Sequence, residues 1–200
     1  MKRFFAVLAA LCLLMSDYCL AEGETSMIPE LTLQAMTVPD NDAMAFLQRM
    51  GVGWNLGNAF DAYSERALGD EMRLETYWCG AKTTEALIQA IHDAGYETIR
   101  IPVSWHNHVS GEDFVISKPW LDRVQEVVDY AIDQDMYVIL NMHHDNDIIS
   151  NGGYFYPDQA HLSNSLTFVS SIWTQIATRF EGYDSHLIFE TLNEPRLVGN

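Results

Sequence analysis

The sequence predicts an α/β fold built on a parallel sheet, and three observations support this prediction. Short apolar runs alternate with longer stretches of helical periodicity, in the order βαβαβαβ. The strands are apolar almost throughout, as in a parallel sheet that is covered by helices. Polar and aromatic residues also follow each strand. With 200 residues, 48% hydrophobic and 20% charged, the chain can form one domain with a substantial core.

Four strands and four helices are expected. The strands are residues 51–57, 97–103, 137–142 and 187–192. The helices are residues 43–50, 82–94, 118–134 and 162–180, each with apolar residues repeating on one face. The expected helix-boundary residues are Asp40 or Asn41 for the first helix, Thr83 and Gly95 for the second, and Ser117 and Pro119 for the third.

The N-terminus has the pattern of a secretory signal peptide over residues 1–21. Lys2 and Arg3 precede an apolar run, and small residues lead to a cleavage site after Ala21. The run is too short for a transmembrane helix. We therefore expect a secreted protein, extracellular or periplasmic, in which residues 22–40 form a leader before the domain at 41–200. Cleavage would leave Cys79 without an intrachain disulfide partner.

The charge of the chain limits its possible partners. A formal net charge of −17 argues against nucleic acid and against an anionic membrane, because both attract basic surfaces. A neutral substrate agrees better with this charge. We expect no membrane contact after signal cleavage.

Two architectures share the predicted pattern: a doubly wound open sheet and a (β/α)8 barrel. The glycines at 51–57 only imitate a phosphate-binding loop, because they lie within a strand and Trp54 occupies the place where a phosphate would approach. The barrel is favoured because catalytic groups in barrels come from the C-terminal ends of several strands. Such residues here are Asn55, Asn58, Arg100, Ser104, Trp105, His143, His144, Asp145, Asn193 and Glu194.

Two glutamates stand out in the last strand. Glu194 is a candidate general acid, since a carboxyl in a partly apolar pocket retains its proton more readily. If Glu194 faces the barrel mouth, the two-residue period places Glu190 in the interior below it. Arg100 is the basic residue inside a predicted strand, and we expect it to pair with Glu190. Trp54, Trp78, Trp105 and Tyr154 are candidates for stacking on sugar faces.

A metal-dependent hydrolase is the alternative suggested by the histidines. His106 and His108 form one pair, and His143, His144 and Asp145 form a second group, so imidazole and carboxylate ligands are available. The first pair follows the second strand, whereas in metal-dependent barrels of similar arrangement it follows the first. We therefore favour a site without metal or cofactor.

Four motifs in order resemble family 5 glycoside hydrolases, the endo-β-glucanases: GWNLGNAFDA at 53–62, TIRIPVSW at 98–105, YVILNMHHD at 137–145 and LIFETLNEP at 187–195. Together with ETYW at 75–78, they are most similar to the branch that includes xyloglucanases and lichenases. The segment 78–84 departs slightly from that branch. The resemblance implies a (β/α)8 barrel, of which this chain covers about the first four βα units, and a complete protein that is a monomer.

The resemblance also implies retaining hydrolysis of β-1,4-linked glucan by two glutamates. On this basis Glu194 is the acid/base, and Asn193 holds the sugar 2-hydroxyl. Arg100 and His143 support the nucleophile and the bound sugar. The implied substrate contacts are Asn58, His144, Trp105 and Trp78.

The nucleophilic glutamate of the family ends the seventh strand, so we expect it to be absent from this chain. The 200 residues are then a fragment that is inactive alone. A noncatalytic glycan-binding fragment or pseudoenzyme is the remaining alternative.

Overall fold

The structure is a computed structural model that describes residues 37–66, 68–146 and 154–196. The predicted signal peptide and residues 22–36 of the predicted leader lie outside the described residues. No helix in the described ranges is both long enough and apolar enough to cross a membrane.

The predicted strands and helices are present; the first helix is one residue longer than predicted, and the other elements are shorter. The helices are α1 (Asp42–Met50), α2 (Glu85–Asp93), α3 (Lys118–Ile132) and α4 (Leu162–Arg179). The strands are β1 (Gly53–Asn55), β2 (Thr98–Ile101), β3 (Val109–Ser110), β4 (Val115–Ile116), β5 (Tyr137–Asn141) and β6 (Leu187–Glu190). The antiparallel pair β3–β4 was not predicted, because strands of two residues leave no periodic signal. Two 3₁₀ helices, Glu71–Thr76 and His106–His108, lie in the connections.

The main sheet has the strand order β1-β2-β5-β6, and every pairing in it is parallel. Consecutive βα units therefore lie side by side, as in a (β/α)8 barrel, whereas a doubly wound sheet reverses its strand order at a switch point. In this register Arg100 lies opposite both Asn55 and Ile139, and Asn141 lies opposite Glu190. These polar residues therefore occur at neighbouring positions across the sheet.

The hydrophobic core lies between the helices and the outward face of the sheet. In the two central strands, Ile99 and Ile101 of β2 and Val138 and Leu140 of β5 are fully buried. Their helix partners include Ile88 of α2, Val124 and Val128 of α3, and Phe168, Ile172 and Ile176 of α4. Burying one such aliphatic side chain contributes roughly 1.5–3 kcal/mol relative to leaving it exposed. The alternate residues of the strands face the other way and form the inner surface.

Local capping explains the starts of α1 and α2 and corrects one prediction. Asn41 caps α1 by accepting a hydrogen bond from the Met44 N–H, which settles the choice between Asp40 and Asn41. The cap of α2 is Thr84 rather than Thr83. Thr83 is buried instead, where its N–H donates to Glu75 at 2.8 Å and its carbonyl accepts from Arg123. Gly95 follows α2 with φ of 94°, a conformation that glycine adopts without strain.

A buried ion pair fixes the 3₁₀ segment that precedes Trp78. The Arg123 guanidinium on α3 donates to both Glu75 carboxylate oxygens, at 3.0 and 2.8 Å. Both side chains are almost completely buried, at 4% and 2% exposure. The pair therefore holds the chain just before Trp78 against α3.

We expect Glu75→Ala to lower the free energy of unfolding by about 3 kcal/mol, because the change removes the buried carboxylate that pairs with Arg123 and leaves only the more exposed Glu126 as its acidic partner. Urea denaturation followed by circular dichroism measures this loss. Lys118→Ala is the control, since Lys118 pairs with Asp122 at the surface and such pairs contribute about 1 kcal/mol or less. Equal losses in the two variants would contradict the role assigned to the buried pair.

Candidate active site

A polar pocket of about 390 Å³ lies at the C-terminal ends of the parallel strands. Its lining residues come from segments that follow or end the four strands: Asn55, Arg100, His143, His144, Asn146, Asn193, Glu194 and Arg196. Two apolar pockets lie elsewhere, one of about 400 Å³ beside α4 and one of about 450 Å³ beside α2. The polar pocket is the candidate site because it contains the amide, imidazole, guanidinium and carboxyl groups that can act chemically.

Arg100 is the centre of the hydrogen-bond network beneath this pocket. Its Nε and Nη2 atoms each donate to Glu190 at 2.6 Å, one to each carboxylate oxygen. Nη1 donates to Asn55 Oδ1 at 2.9 Å, and Nη2 also donates to Asn193 Oδ1 at 3.0 Å. The predicted pairing of Arg100 with Glu190 is thus confirmed. The network also fixes the side chain of Asn193 at the pocket wall.

The charges of the network shift two pKa values. The hydrogen bond from Arg100 lowers the pKa of Glu190 below its ordinary value, so Glu190 is an anion at neutral pH. Burial lowers the pKa of His143 to about 3, and the positive charges of His144 and Arg100 act in the same direction. His143 is therefore a neutral imidazole at neutral pH.

Glu194 lies at the pocket rim but not in the surroundings predicted for it. Strand β6 ends at Glu190, so the expected alternation does not extend to Glu194, which has φ of 42°. Asn146 donates to the Glu194 carbonyl at 2.7 Å and thereby holds this left-handed residue. The Glu194 carboxylate lies 3.1 Å from Arg196, and its side chain is 66% exposed. Within the described ranges, no apolar pocket encloses this carboxyl.

An aromatic cluster borders the pocket on the side of β1. The ring of Tyr63 lies edge-on to the rings of Trp78 and His144, with ring centroids 5.0 and 5.7 Å apart. Trp78 also contacts His144 at 5.7 Å and is 40% exposed. The Nε2 atom of His144 is 3.9 Å from a carboxylate oxygen of the buried Asp61. The cluster thus combines an exposed indole face with a polar imidazole, as a sugar-binding surface requires.

The structure corrects the prediction for Trp105. Its indole is completely buried, and Nε1 donates to the Asn141 carbonyl at 3.0 Å. Trp105 is therefore a core residue and cannot stack on a substrate. Pro102 and Ser104 precede Trp105 and made this position resemble a loop. Contacts with β5 nevertheless enclose the indole.

Three other predicted contacts lie away from the pocket lining. Trp54 packs edge-on to Tyr96 beside α2, and Tyr154 packs on Phe114, so neither reaches the polar pocket. Asn58 is exposed in the turn after β1 with φ of 65°, a conformation that asparagine tolerates. A substrate contact by Asn58 stays a prediction.

The two sets of histidines proposed as metal ligands, His106 with His108 and His143 with His144, are not brought together in one site. His106 pairs with the buried Asp145 at 3.0 Å, and His108 pairs with Glu71 at 2.8 Å. A different group, Asp61, His143 and His144, places donor atoms within 4.8 Å of one another in the described part of the chain. Arg100 lies close enough to lower the pKa of His143 through its charge, so a second cation at this position is disfavoured.

Several residues at the site were not assigned a role from the sequence. Asn55 belonged to the predicted rim, but its contact with Arg100 depends on strand register. Asn146 and Tyr63 lie in loops without a periodic signal. Asn141 had a usable signal, since it is a polar residue at the end of an otherwise apolar strand. Its inward direction follows from the same two-residue period that predicted Glu190.

The fold and the pocket define a parallel-barrel protein with a polar, aromatic-bordered site at the strand ends. Residues 60–200 match the family model described as cellulase, glycosyl hydrolase family 5. The chain belongs to glycosyl hydrolase family 5, and this confirms the resemblance noted from its motifs.

Similar proteins include Endoglucanase B of Ruminococcus albus, which is 41% identical over 187 residues; the match covers 90% of this chain and 42% of the relative. A family 5 lichenase variant from Caldicellulosiruptor sp. F32, solved with cellotetraose, is 55% identical with a TM-score of 0.79; the match covers 86% of this chain and 45% of that one. A broad-specificity endoglucanase from Ruminococcus champanellensis, solved with cellotriose, is 43% identical with a TM-score of 0.73. This match covers 82% of this chain and 47% of that one. The chain thus spans less than half the length of these relatives.

The Arg100–Glu190 pair predicts how stability depends on pH. Because the folded-state pKa of Glu190 lies below its ordinary value of 4.5, the pair contributes fully above that pH and loses its contribution as the pH falls through the folded-state pKa. In Glu190→Gln this contribution is absent at every pH. The difference in unfolding free energy between wild type and Glu190→Gln, from urea denaturation, should therefore shrink between about pH 6 and about pH 3.

Glu181→Gln is the matched control for this measurement, since Glu181 is exposed in the turn after α4 and is not one of the residues that Arg100 or Glu190 contacts. We expect its difference from wild type to stay near zero across the same range. A wild-type advantage over Glu190→Gln that stays constant or grows toward acid pH would contradict the assigned pairing.

Proposed function

We propose that the complete protein hydrolyses β-1,4-glucosidic bonds in cellulose or related β-glucans with retention of configuration. The observation that carries this proposal is the position of Glu194. Its carboxyl borders a pocket whose other lining residues include Asn193, His143 and His144, and these groups suit the hydroxyls of a neutral sugar. The similarity to endoglucanases and lichenases supports the same substrate class.

In this proposal Glu194 acts first as an acid and then as a base. Its protonated carboxyl gives a proton to the glycosidic oxygen as the bond to the anomeric carbon breaks, while a second carboxylate forms an ester with that carbon. Glu194 then takes a proton from the water that hydrolyses the ester. In the same proposal Asn193, whose Oδ1 accepts from Arg100 at 3.0 Å, binds the sugar 2-hydroxyl. Trp78 offers its exposed face to a neighbouring sugar.

The second carboxyl group of a retaining enzyme lies about 5–5.5 Å from the first. Glu194 is the one acidic residue among those that line the described pocket. Glu190 is unsuitable because both of its oxygens accept hydrogen bonds from Arg100. Among the described residues, the pocket therefore offers no second carboxyl for this role, and we propose that another part of the complete protein supplies the nucleophile.

We also propose that the protein is secreted after cleavage behind Ala21 and that the complete enzyme is a monomer without metal or cofactor. The formal charge of −17 supports a neutral polysaccharide as substrate. N-terminal sequencing of the secreted protein tests the cleavage, and a first residue other than Glu22 would contradict it.

Glu194→Gln in the complete protein should reduce hydrolysis of a natural β-glucan by at least about 100-fold, because general acid catalysis contributes roughly that much. Substrates with an activated leaving group, such as aryl cellobiosides, need little protonation and should lose far less in the first step. Glu181→Gln is the control and should retain wild-type rates on both. Initial rates of reducing-sugar and aryl-alcohol release measure the two effects.

Other outcomes would favour the alternatives. Equal loss on both substrates would argue against an acid role for Glu194. Binding of soluble glucan by the complete wild-type protein without product release would favour a noncatalytic glycan-binding protein. Stoichiometric zinc in the purified protein would favour the metal-dependent hydrolase.

A further inference from the structure

Asn141 ends β5 beneath the candidate site, and its side chain is completely buried. Its Oδ1 atom accepts a hydrogen bond from the Val103 N–H at 3.0 Å. Its Nδ2 atom lies 3.1 Å from His143 Nδ1 and 3.4 Å from Glu190 Oε1. Both ends of the amide therefore have partners on neighbouring strands or their extensions.

These partners fix which way the amide points. A backbone N–H can only donate, so the amide oxygen of Asn141 must face Val103. The amide nitrogen must then face His143 and Glu190. The Glu190 carboxylate is an acceptor, and this second contact requires the same orientation.

The orientation of Asn141 determines the tautomer of His143. An amide NH₂ has two hydrogens and no available lone pair, so His143 Nδ1 must accept. A neutral imidazole with a bare Nδ1 has its proton on Nε2. The titratable groups around the ring are Arg100, His144, Glu190 and Asp61. Burial lowers the pKa of His143 to about 3, so the neutral form dominates at neutral pH.

The other nitrogen of this ring, Nε2, is neither buried nor hydrogen-bonded within the described part of the chain. His143 lines the pocket, and no hydrogen bond joins its Nε2 atom to any residue in the described ranges. That atom is also not among the buried polar atoms that lack a partner. The protonated nitrogen is therefore accessible to a ligand.

We propose that Asn141 is a positioning residue that holds His143 as the Nε2–H tautomer, so that the pocket presents an N–H donor rather than an imidazole lone pair. Asn141 acts through His143. A donor in this position suits a hydroxyl oxygen of a neutral sugar, and this last step rests on the proposed function. The tautomer itself is independent of the substrate.

Nitrogen-15 NMR of histidine-labelled wild-type protein tests the proposal directly, without substrate. The His143 signals are identified by their loss in His143→Gln. At about pH 7 we expect Nδ1 to resonate as the unprotonated nitrogen and Nε2 as the protonated one. A His143 signal of the opposite tautomer, or of an imidazolium, would overturn the proposal even if no variant folds.

Asn141→Asp tests whether Asn141 sets the tautomer. The aspartate keeps an acceptor for the Val103 N–H but places a carboxylate oxygen against His143 Nδ1, so the ring should donate from Nδ1 and the two nitrogen signals should exchange. Asn107→Asp is the matched control, since it adds the same charge and keeps its acceptor for the Ser64 N–H; it should leave the His143 signals unchanged. An Asn141→Asp protein with a wild-type circular dichroism spectrum and an unchanged tautomer would refute the positioning role.

The consequence for sugar binding is measured separately. With the Nε2 donor lost, Asn141→Asp should bind a soluble cello-oligosaccharide about tenfold more weakly, as expected for one hydrogen bond. Failure of wild-type protein to bind or hydrolyse any glucan would refute the proposed function and leave the tautomer result standing. Wild-type affinity in a variant with the exchanged tautomer would refute the assigned donor.

Discussion

The arrangement of the site depends on one polar network, centred on the pair Arg100–Glu190, that links residues from all four strands of the sheet. Asn55 belongs to β1, Arg100 to β2 and Glu190 to β6, while Asn141 of β5 lies 3.4 Å from the same carboxylate. Hydrogen bonds between two charged groups, such as Arg100 and Glu190, are stronger than those between neutral groups. The bidentate geometry of this pair also fixes the direction of both side chains as well as their distance. Each strand end is therefore held in register with its neighbours by a side-chain contact in addition to the backbone ladder.

This network positions the chain that carries Glu194. Asn193 accepts from Arg100 through its side chain, and its N–H donates to the Met142 carbonyl at 2.9 Å. Glu194 then takes a left-handed conformation that costs roughly 1–2 kcal/mol for a residue with a Cβ. The Asn146 side chain offsets part of this cost by binding the Glu194 carbonyl. The carboxyl is thus set by contacts from β2 and from the loop after β5, and not by strand geometry.

Side chains at and just after the end of β5 hold the loop that follows β2. The buried Asp145 carboxylate accepts from the N–H groups of Trp105 and His106, at 2.8 and 2.7 Å. Asn141 accepts from Val103 in the same loop. Buried backbone donors need such partners, because leaving one unsatisfied costs about 1–3 kcal/mol. Asn141 and Asp145 therefore shape the neighbouring loop, and Asn141 alone also contacts His143.

The sequence by itself determined the order of strands and helices, the parallel sheet, the family, and the pairing of Arg100 with Glu190. These follow from short-range periodicity, from ordered motifs, and from the high cost of burying a lone charge. Only the tertiary structure decided that Trp105 is buried, that Thr84 caps α2 in place of Thr83, and that Glu194 leaves the strand. It also decided which end of Asn141 faces His143. Each of these depends on contacts between residues distant in the chain, such as Val103 with Asn141 or Arg123 with Thr83, and no local pattern encodes such contacts.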